Sequence, residues 1–176
     1  MNCCDDYGNC TQGRDCPARQ KPTTKGTLVT NYQRTAAWLH ACGKNPSPGA
    51  LSVQIGCDLE ETAEFLRCLF AGDAIDRATL ARVAGDLELL GARFKQTRCA
   101  VFIPDFRRAE ALDALCDREV TGNGIAYLAG FNKDAADVAV LDSNDAKLVD
   151  GKPVLLPGGK IGKPAGWAAP ILETFV

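Results

Sequence analysis

Histidine is almost absent from this sequence, because His40 is the only one among 176 residues. Hydrolases that use a serine or cysteine nucleophile activate it with a neighbouring base, which is usually a histidine. No serine–histidine or cysteine–histidine system is recognisable around His40. If the chain is a hydrolase, we therefore expect a water molecule activated by metal ions, a route that needs no histidine.

Excess charge and long apolar runs are also missing. The net charge of −2 gives no general attraction to nucleic acid or to an anionic membrane surface, so we expect neither as a partner. No apolar run is long enough to span a bilayer. The first residues lack the apolar stretch of a secretory signal. These absences predict a cytoplasmic protein.

Cysteine, by contrast, is plentiful, with nine residues. An odd number without a signal sequence argues against a secreted disulfide framework. Five are scattered along the chain, and we expect them to be buried as small apolar side chains: Cys42, Cys57, Cys68, Cys99 and Cys116. The other four are crowded near the N-terminus: Cys3, Cys4, Cys10 and Cys16. These four either bind a structural Zn²⁺ as thiolates, form a loose arm of reduced cysteines, or dock on a neighbouring subunit.

Apolar periodicity and turn residues predict an all-α chain of three parts. Residues 1–28 form a cysteine-rich N-terminal arm, residues 29–148 an all-α domain, and residues 149–176 a tail rich in glycine, proline and lysine. The chain is long enough for one domain with a hydrophobic core. Four main helices and a short fifth are predicted, near residues 30–40, 50–71, 76–97, 105–129 and 133–143. In the tail, residues 153–156 are predicted to pair with residues 160–162 as a small hairpin.

Two of the predicted helices carry acidic residues in pairs. Glu61 and Glu64 are three residues apart on the second helix, and Asp113 and Asp117 are four apart on the fourth. Each pair therefore projects from one helix face. Four carboxylates on facing helices would form an oxygen-rich site suited to Mg²⁺ or Mn²⁺. The alternatives are a solvated acidic face for the glutamates and, for the aspartates in their apolar stripe, ion pairs with Arg107, Arg108 or Arg118.

A locally basic segment follows the fifth helix. Asn144 can hydrogen-bond, and Lys147 can supply a point charge for a phosphate. Further lysines lie on a stretch rich in glycine and proline, and Lys163 is the candidate among them for a substrate contact. A metal ion on one side and a lysine on the other is what a triphosphate substrate requires. The alternative is a tail that only improves solubility.

The acidic and basic segments together resemble a known family. Residues 60–64 (EETAE) resemble the EExxE motif of the all-α nucleoside triphosphate pyrophosphohydrolases. This superfamily includes the MazG-like enzymes, phosphoribosyl-ATP pyrophosphohydrolase and the dimeric dUTPases. Residues 143–160 resemble the SNxxK…DGKP…DGK ending of its phosphoribosyl-ATP-pyrophosphohydrolase-like members, which are common in bacteria and their phages. The resemblance covers roughly residues 30–172.

The resemblance implies a MazG-like four-helix bundle, placed in the host cytoplasm if a phage encodes it. The implied reaction converts a (deoxy)nucleoside triphosphate and water into the monophosphate and pyrophosphate. Glu61 and Glu64, with Glu60 beside them, would hold two or three Mg²⁺ or Mn²⁺ ions. Asn144 and Lys147 would hold sugar and phosphate. Members are homodimers or homotetramers, often with sites shared between subunits, and a purine nucleotide such as (d)GTP is the leading substrate.

The second acidic motif departs from the family pattern, which is usually ExxD. Asp117 fits the aspartate, but Ala114 stands at the glutamate position. Asp113, one residue earlier, is the expected substitute. The candidate catalytic residues are therefore Glu60, Glu61, Glu64, Asp113 and Asp117.

Two residues of the first helix and two other classes of function complete the hypotheses. Trp38 and His40 could stack on or hydrogen-bond a base, although packing is the alternative for both. A non-catalytic nucleotide-binding or regulatory module on the same fold is favoured by the missing carboxylate at Ala114. An interaction protein with a zinc-binding arm, in which the helical body is a scaffold, is the other alternative.

Overall fold

The computed structural model describes residues 29–97, 100–156 and 161–176. Within these ranges the chain is mostly helical, which confirms the all-α class. The α-helices are α1 (Asn31–Ala41), α2 (Pro48–Cys68), α3 (Ala74–Gln96), α4 (Arg108–Ala129) and α5 (Lys133–Asp145). The strands β1 (Leu148–Val149) and β2 (Lys152–Pro153) form a two-stranded sheet. No helix in the described ranges is both long and apolar enough to cross a membrane.

Local capping sets the ends of the helices. The hydroxyl of Thr30 accepts the N–H of Gln33 at 3.1 Å, and the Gln33 side chain accepts the N–H of Thr30 at 2.9 Å. Thr30 is therefore the N-cap of α1, as expected of a threonine directly before the helical pattern. The side chains of Ser47 and Asp73 cap α2 and α3 by accepting backbone N–H groups of the first turn, without a reciprocal side-chain bond. Gly130, at φ 79°, ends α4 in the left-handed conformation that glycine adopts without strain.

The contact between α2 and α3 is the most extensive between any two described elements. The helices run antiparallel, since Ser52 near the start of α2 donates to the carbonyl of Phe94 near the end of α3, at 3.0 Å. Gly56 and Gly91 are both buried where the helices meet. A Cβ on Gly56 would lie 2.6 Å from the carbonyl oxygen of Gly91, and the reverse distance is 2.7 Å. The helices approach this closely because neither residue carries a side chain.

Small residues, rather than the predicted large apolar stripes, form the centre of this contact. The buried positions are Ser52, Gly56 and Ala63 on α2 and Ala84 and Gly91 on α3. Leu59, Leu66 and Leu87 flank the contact and are only half-buried. Apolar periodicity in the sequence predicts one stripe on α2: Leu51, Ile55, Leu59, Ala63, Leu66 and Phe70. Ala63 is buried as this pattern predicts, but Phe70 lies beyond the end of the helix and is 86% exposed, so the prediction is wrong for Phe70. Close approach of the helices favours small side chains at the centre of the contact.

Polar side chains connect α1 to α5. Arg34 donates to Asp142 at 2.8 Å and to Asp145 at 2.5 Å. The indole N–H of Trp38 donates to the backbone carbonyl of Asn144 at 2.8 Å. The end of α5 is therefore fixed against α1, and this places the residues that follow α5.

The described part of the tail contains one tight turn, at Asp150-Gly151. Asp150 (φ 51°) and Gly151 (φ 73°) join β1 to β2 with positive φ at both central residues, as a tight two-residue hairpin requires. Further along, Leu155 and Ile161 form an isolated antiparallel bridge. The predicted tail hairpin is thus present as this single bridge. Lys160 lies outside the described residues.

α4 is the least covered of the helices. Ala126 is its only buried residue in the described structure. The apolar residues expected to surround the two aspartates are largely exposed, with Leu112 at 63%, Val120 at 68% and Tyr127 at 81%. The expectation of carboxylates within a buried apolar stripe is therefore not met in a single chain. No described element of the chain covers this face.

The scattered cysteines differ in burial. Cys42 is buried and Cys57 is half-buried. Cys68 and Cys116 are exposed, so the expectation that they fill the core is wrong. Both lie on helix surfaces that nothing else in the described chain covers. Cys99 and the four cysteines of the N-terminal arm lie outside the described residues, and so does the zinc prediction.

Candidate functional site

A groove of about 1510 Å³ lies between α1, the first half of α2 and the end of α5. Four predicted site residues line it: Trp38, His40, Glu61 and Asn144. Trp38 and His40 lie on α1, Glu61 lies on the next helix, α2, and Asn144 lies on α5, much further along the chain. The packing of α1 on α5 brings the first two residues to Asn144, and this groove is the candidate site.

Two acidic residues of α2 are already paired with cations. Asp58 accepts two hydrogen bonds from the guanidinium of Arg118 in α4, at 2.6 and 2.8 Å. Glu60, a candidate catalytic residue, forms an ion pair with Lys95 of α3. These pairs connect α2 to both neighbouring helices. They leave the charges of Asp58 and Glu60 partly neutralised.

Glu61 and Glu64, unlike Asp58 and Glu60, have no cationic partner among the described residues. Partial burial raises the pKa of the Glu61 carboxyl above its ordinary value, and the negative charges of Glu64, Glu60 and Asp58 raise this pKa further. A carboxylate crowded by like charges is stabilised by a cation placed between them. Neither Glu61 nor Glu64 forms an ion pair with any residue that the structure describes. Both carboxylates are therefore open to a metal ion.

Asp113 and Asp117 lie exposed on α4. Two of the arginines considered as their ion-pair partners bind other carboxylates: Arg107 pairs with Glu110 at 3.2 Å, and Arg118 pairs with α2. The ion-pair alternative is therefore not observed for those two arginines. Among the described residues, no group of three or more histidine, cysteine or acidic side chains is arranged to hold a metal ion. A single chain as described does not unite the two aspartates with the two glutamates.

The basic candidates gather around a residue that the sequence analysis did not single out, Trp167. The Lys163 ammonium lies 4.4 Å from the centre of the Trp167 ring, and the Lys147 ammonium lies 5.4 Å from it. Lys147 also donates to the side-chain oxygen of Asn144 at 2.8 Å. Its positive charge opposes the rise in the Glu61 pKa that burial and the neighbouring acids cause, so Lys147 acts on the acidic side of the groove. Lys147 therefore contacts both Asn144 and the ring that Lys163 contacts.

Ring nitrogens of Trp38 and His40 make polar contacts within the protein. The Trp38 N–H is used by the Asn144 carbonyl, and His40 Nδ1 lies 3.0 Å from the side-chain oxygen of Asn45. Both rings still line the groove. The packing alternative therefore accounts for their hydrogen bonds, and a role in base recognition stays a prediction.

Three further residues belong to the description of the site. Arg118 had been considered only as a partner of the aspartates, but it connects α4 to Asp58. Trp167 holds the lysines, and nothing in its local sequence signals this. Glu110 lies three residues before Asp113, so residues 110–113 (EALD) have the ExxD spacing themselves. That signal was available in the sequence.

No protein-family model, curated protein or solved structure matches the chain. The resemblance is therefore confined to the motifs in residues 60–64 and 143–160, and the activity that it implies is a proposal.

Proposed function

We propose that the chain is a metal-dependent nucleoside triphosphate pyrophosphohydrolase, which converts a (d)NTP and water into a (d)NMP and pyrophosphate. The observation that supports the proposal is that an acidic side chain and hydrogen-bonding side chains lie at the same groove. Glu61 and Asn144 line the groove. Glu64 lies one helical turn after Glu61, and neither carboxylate has an ion-pair partner in the described chain. Lys147 donates to the Asn144 side chain, which brings an ammonium group next to the groove. A metal-bound triphosphate requires acids for its cations and donors for its phosphate oxygens.

The donor set fits Mg²⁺ or Mn²⁺. Both are hard cations that prefer oxygen ligands, and Mg²⁺ is commonly held by one or two carboxylates with water and substrate phosphates completing its shell. Glu61 and Glu64 meet that requirement within one chain. Asp113, Asp117 and Glu110 are proposed as further ligands. Two or three bound ions would polarise the α-phosphate and lower the pKa of the attacking water.

The remaining residues of the groove would bind and orient the substrate. Lys147, held by the Asn144 side chain, is placed to donate to phosphate oxygens. Trp38 and His40 line the groove where a base would enter, and an indole ring offers a flat apolar surface to a purine. We propose a purine nucleotide such as (d)GTP as the substrate.

The active form is proposed to be a homodimer or homotetramer of MazG-like bundles. Support comes from α4, whose apolar side chains Leu112, Val120 and Tyr127 are exposed in the single chain. A contiguous apolar face of this kind marks an interaction surface. A second copy packed there would also give Asp113 and Asp117 neighbours that their own chain lacks.

The test is incubation of the purified full-length chain with a panel of NTPs and dNTPs plus Mg²⁺ or Mn²⁺. We expect equal amounts of monophosphate and pyrophosphate, with a preference for a purine. Orthophosphate and diphosphate as products would contradict the proposal. Binding of nucleotide without turnover would support a non-catalytic nucleotide-binding module instead.

A further inference from the structure

Two lysines share one aromatic ring beside the groove. Lys147 follows α5, and Lys163 lies in the tail, yet their ammonium groups lie 5.4 and 4.4 Å from the centre of the same Trp167 ring. The ring face attracts cations, so each lysine gains from this arrangement. The two positive charges also repel each other, and their contacts with the ring offset part of that repulsion.

The ring that holds them is itself anchored. The indole N–H of Trp167 donates to the backbone carbonyl of Ser143 at 2.8 Å. The Ser143 hydroxyl donates to the carbonyl of Ala168, next to the tryptophan, at 3.3 Å. Both bonds fix the tail to the end of α5. Trp167 is therefore a fixed support for the two lysine side chains.

Neither lysine is neutralised within the described residues. Carboxylate partners are present for other lysines, such as Lys95 with Glu60 and Lys133 with Asp137, but Lys147 and Lys163 form no such pair there. Two ammonium groups that contact one ring and form no ion pair there can both be satisfied by an anion with several oxygen atoms. Lys147 bonds to Asn144, a groove residue, so such an anion would lie next to the groove.

We propose that Lys147 and Lys163, positioned by Trp167, form one subsite that binds the polyphosphate part of the ligand. The ammonium groups would donate to oxygens of the two terminal phosphates, and Trp167 is a positioning residue that touches no phosphate. The assignment of the ligand to a nucleotide rests on the proposed function. The subsite itself predicts affinity for inorganic pyrophosphate, with or without turnover.

The experiment is calorimetric titration of the full-length chain with inorganic pyrophosphate at fixed ionic strength. We expect Lys163→Ala and Lys147→Ala each to weaken binding about tenfold, the usual scale for loss of one charge-assisted hydrogen bond. Trp167→Leu should weaken it to a similar extent, whereas Trp167→Phe, which keeps an aromatic face but loses the N–H that anchors the ring on Ser143, should have an intermediate affinity. Lys152→Ala is the matched control, since Lys152 is an exposed lysine of the same tail.

A fluorescence titration separates positioning from folding. The chain has two tryptophans, so Trp38→Phe leaves Trp167 as the only indole. Pyrophosphate should change the Trp167 emission in this variant, and Lys163→Ala in the same background should abolish the change. If Trp38→Phe fails to fold, the difference between the wild type and Trp167→Phe gives the same signal.

The outcomes distinguish this inference from the proposed function. Equal pyrophosphate affinity in Lys163→Ala and Lys152→Ala would overturn the subsite, even if nucleotides are turned over. A tenfold loss confined to Lys147, Lys163 and Trp167→Leu in a chain without nucleotide turnover would support the subsite while contradicting the proposed function.

Discussion

The helices α2 and α3 bury their contact faces within the chain, whereas α4 leaves most of its apolar side chains exposed. In α2–α3 the helices bury small residues against each other, and Gly56 and Gly91 let the backbones touch. α4 is of similar length, but it buries only Ala126 among the described residues and exposes Leu112 and Val120. Its side-chain contact with α2 is the pair of Arg118 with Asp58.

The difference shows which helix faces are buried within a single chain and which are left uncovered. A contact between small residues gains from many close van der Waals pairs, and α2–α3 has them within the chain. A helix with an exposed apolar face gains that free energy only when another surface covers the face. The glutamates of the proposed site lie on the first kind of helix and the aspartates on the second.

The largest expected effect concerns the acids on these two helices. Glu61→Gln should lower kcat by more than about 100-fold, since even residues one shell beyond a metal commonly cost about 10–100-fold. Asp117→Asn should do the same if α4 supplies a ligand. Turnover and far-ultraviolet circular dichroism are the measurements, and Asp86→Asn, an exposed acid on α3, is the control. Full activity in Asp117→Asn would remove α4 from the site.

Next in size is the effect of filling the space between α2 and α3. Gly56→Ala should lower the free energy of unfolding by about 1–3 kcal/mol, because the new Cβ would lie 2.6 Å from a backbone oxygen. Gly85→Ala on α3 is the matched control, since a Cβ there meets nothing within 4 Å. It should be neutral or stabilise by about 0.5–1 kcal/mol. Denaturant melts would decide, and equal behaviour of the two variants would contradict the close contact.

The uncovered face of α4 gives a prediction about assembly. Val120→Asp should weaken self-association at least about tenfold, because burying an unpaired charge in an apolar interface is costly. Light scattering after size-exclusion chromatography, over a range of concentrations, measures this. Thr79→Asp, which introduces the same charge at an exposed position of α3, should leave the mass unchanged. A wild-type chain that stays monomeric at high concentration would show that no second copy covers α4.

The smallest effect is expected from the link between α4 and α2. Arg118→Met should cost about 1 kcal/mol or less, because both partners are about half-exposed and surface ion pairs contribute little. Faster hydrogen exchange along α4 is the more sensitive measurement. Arg107→Met, which removes a pair in the first turn of α4, should leave exchange in the rest of α4 unchanged. Similar exchange in both variants would mean that Arg118 does not hold α4 in place.

Local features of the structure could be predicted because they depend on neighbouring residues. Thr30 caps α1, Gly130 ends α4, and Asp150 with Gly151 forms the hairpin turn, each for a reason contained in two to four residues. The contact between Gly56 and Gly91 was missed. Isolated glycines in a helical pattern did signal it, since they cost helix stability and are kept where backbones approach.

The candidate site was predictable only in part, because many of its contacts join residues that are far apart in the sequence. Helical spacing showed that Glu61 and Glu64 share a face, but ion-pair partners depend on which helices meet. Lys95 forms an ion pair with Glu60. Arg118 was considered as a partner of the two aspartates, but it binds Asp58. The role of Trp167 depends on how the tail folds back onto α5.

The sequence by itself determined the helices, their ends and the acidic and basic residues available for chemistry, because these follow from local backbone preferences and residue type. The tertiary structure decided which acids are paired, that Trp38, Glu61 and Asn144 face one groove, and that α4 presents an uncovered apolar face. Those properties depend on the distances between segments far apart in the chain. Such distances are set by packing, which no short stretch of sequence contains.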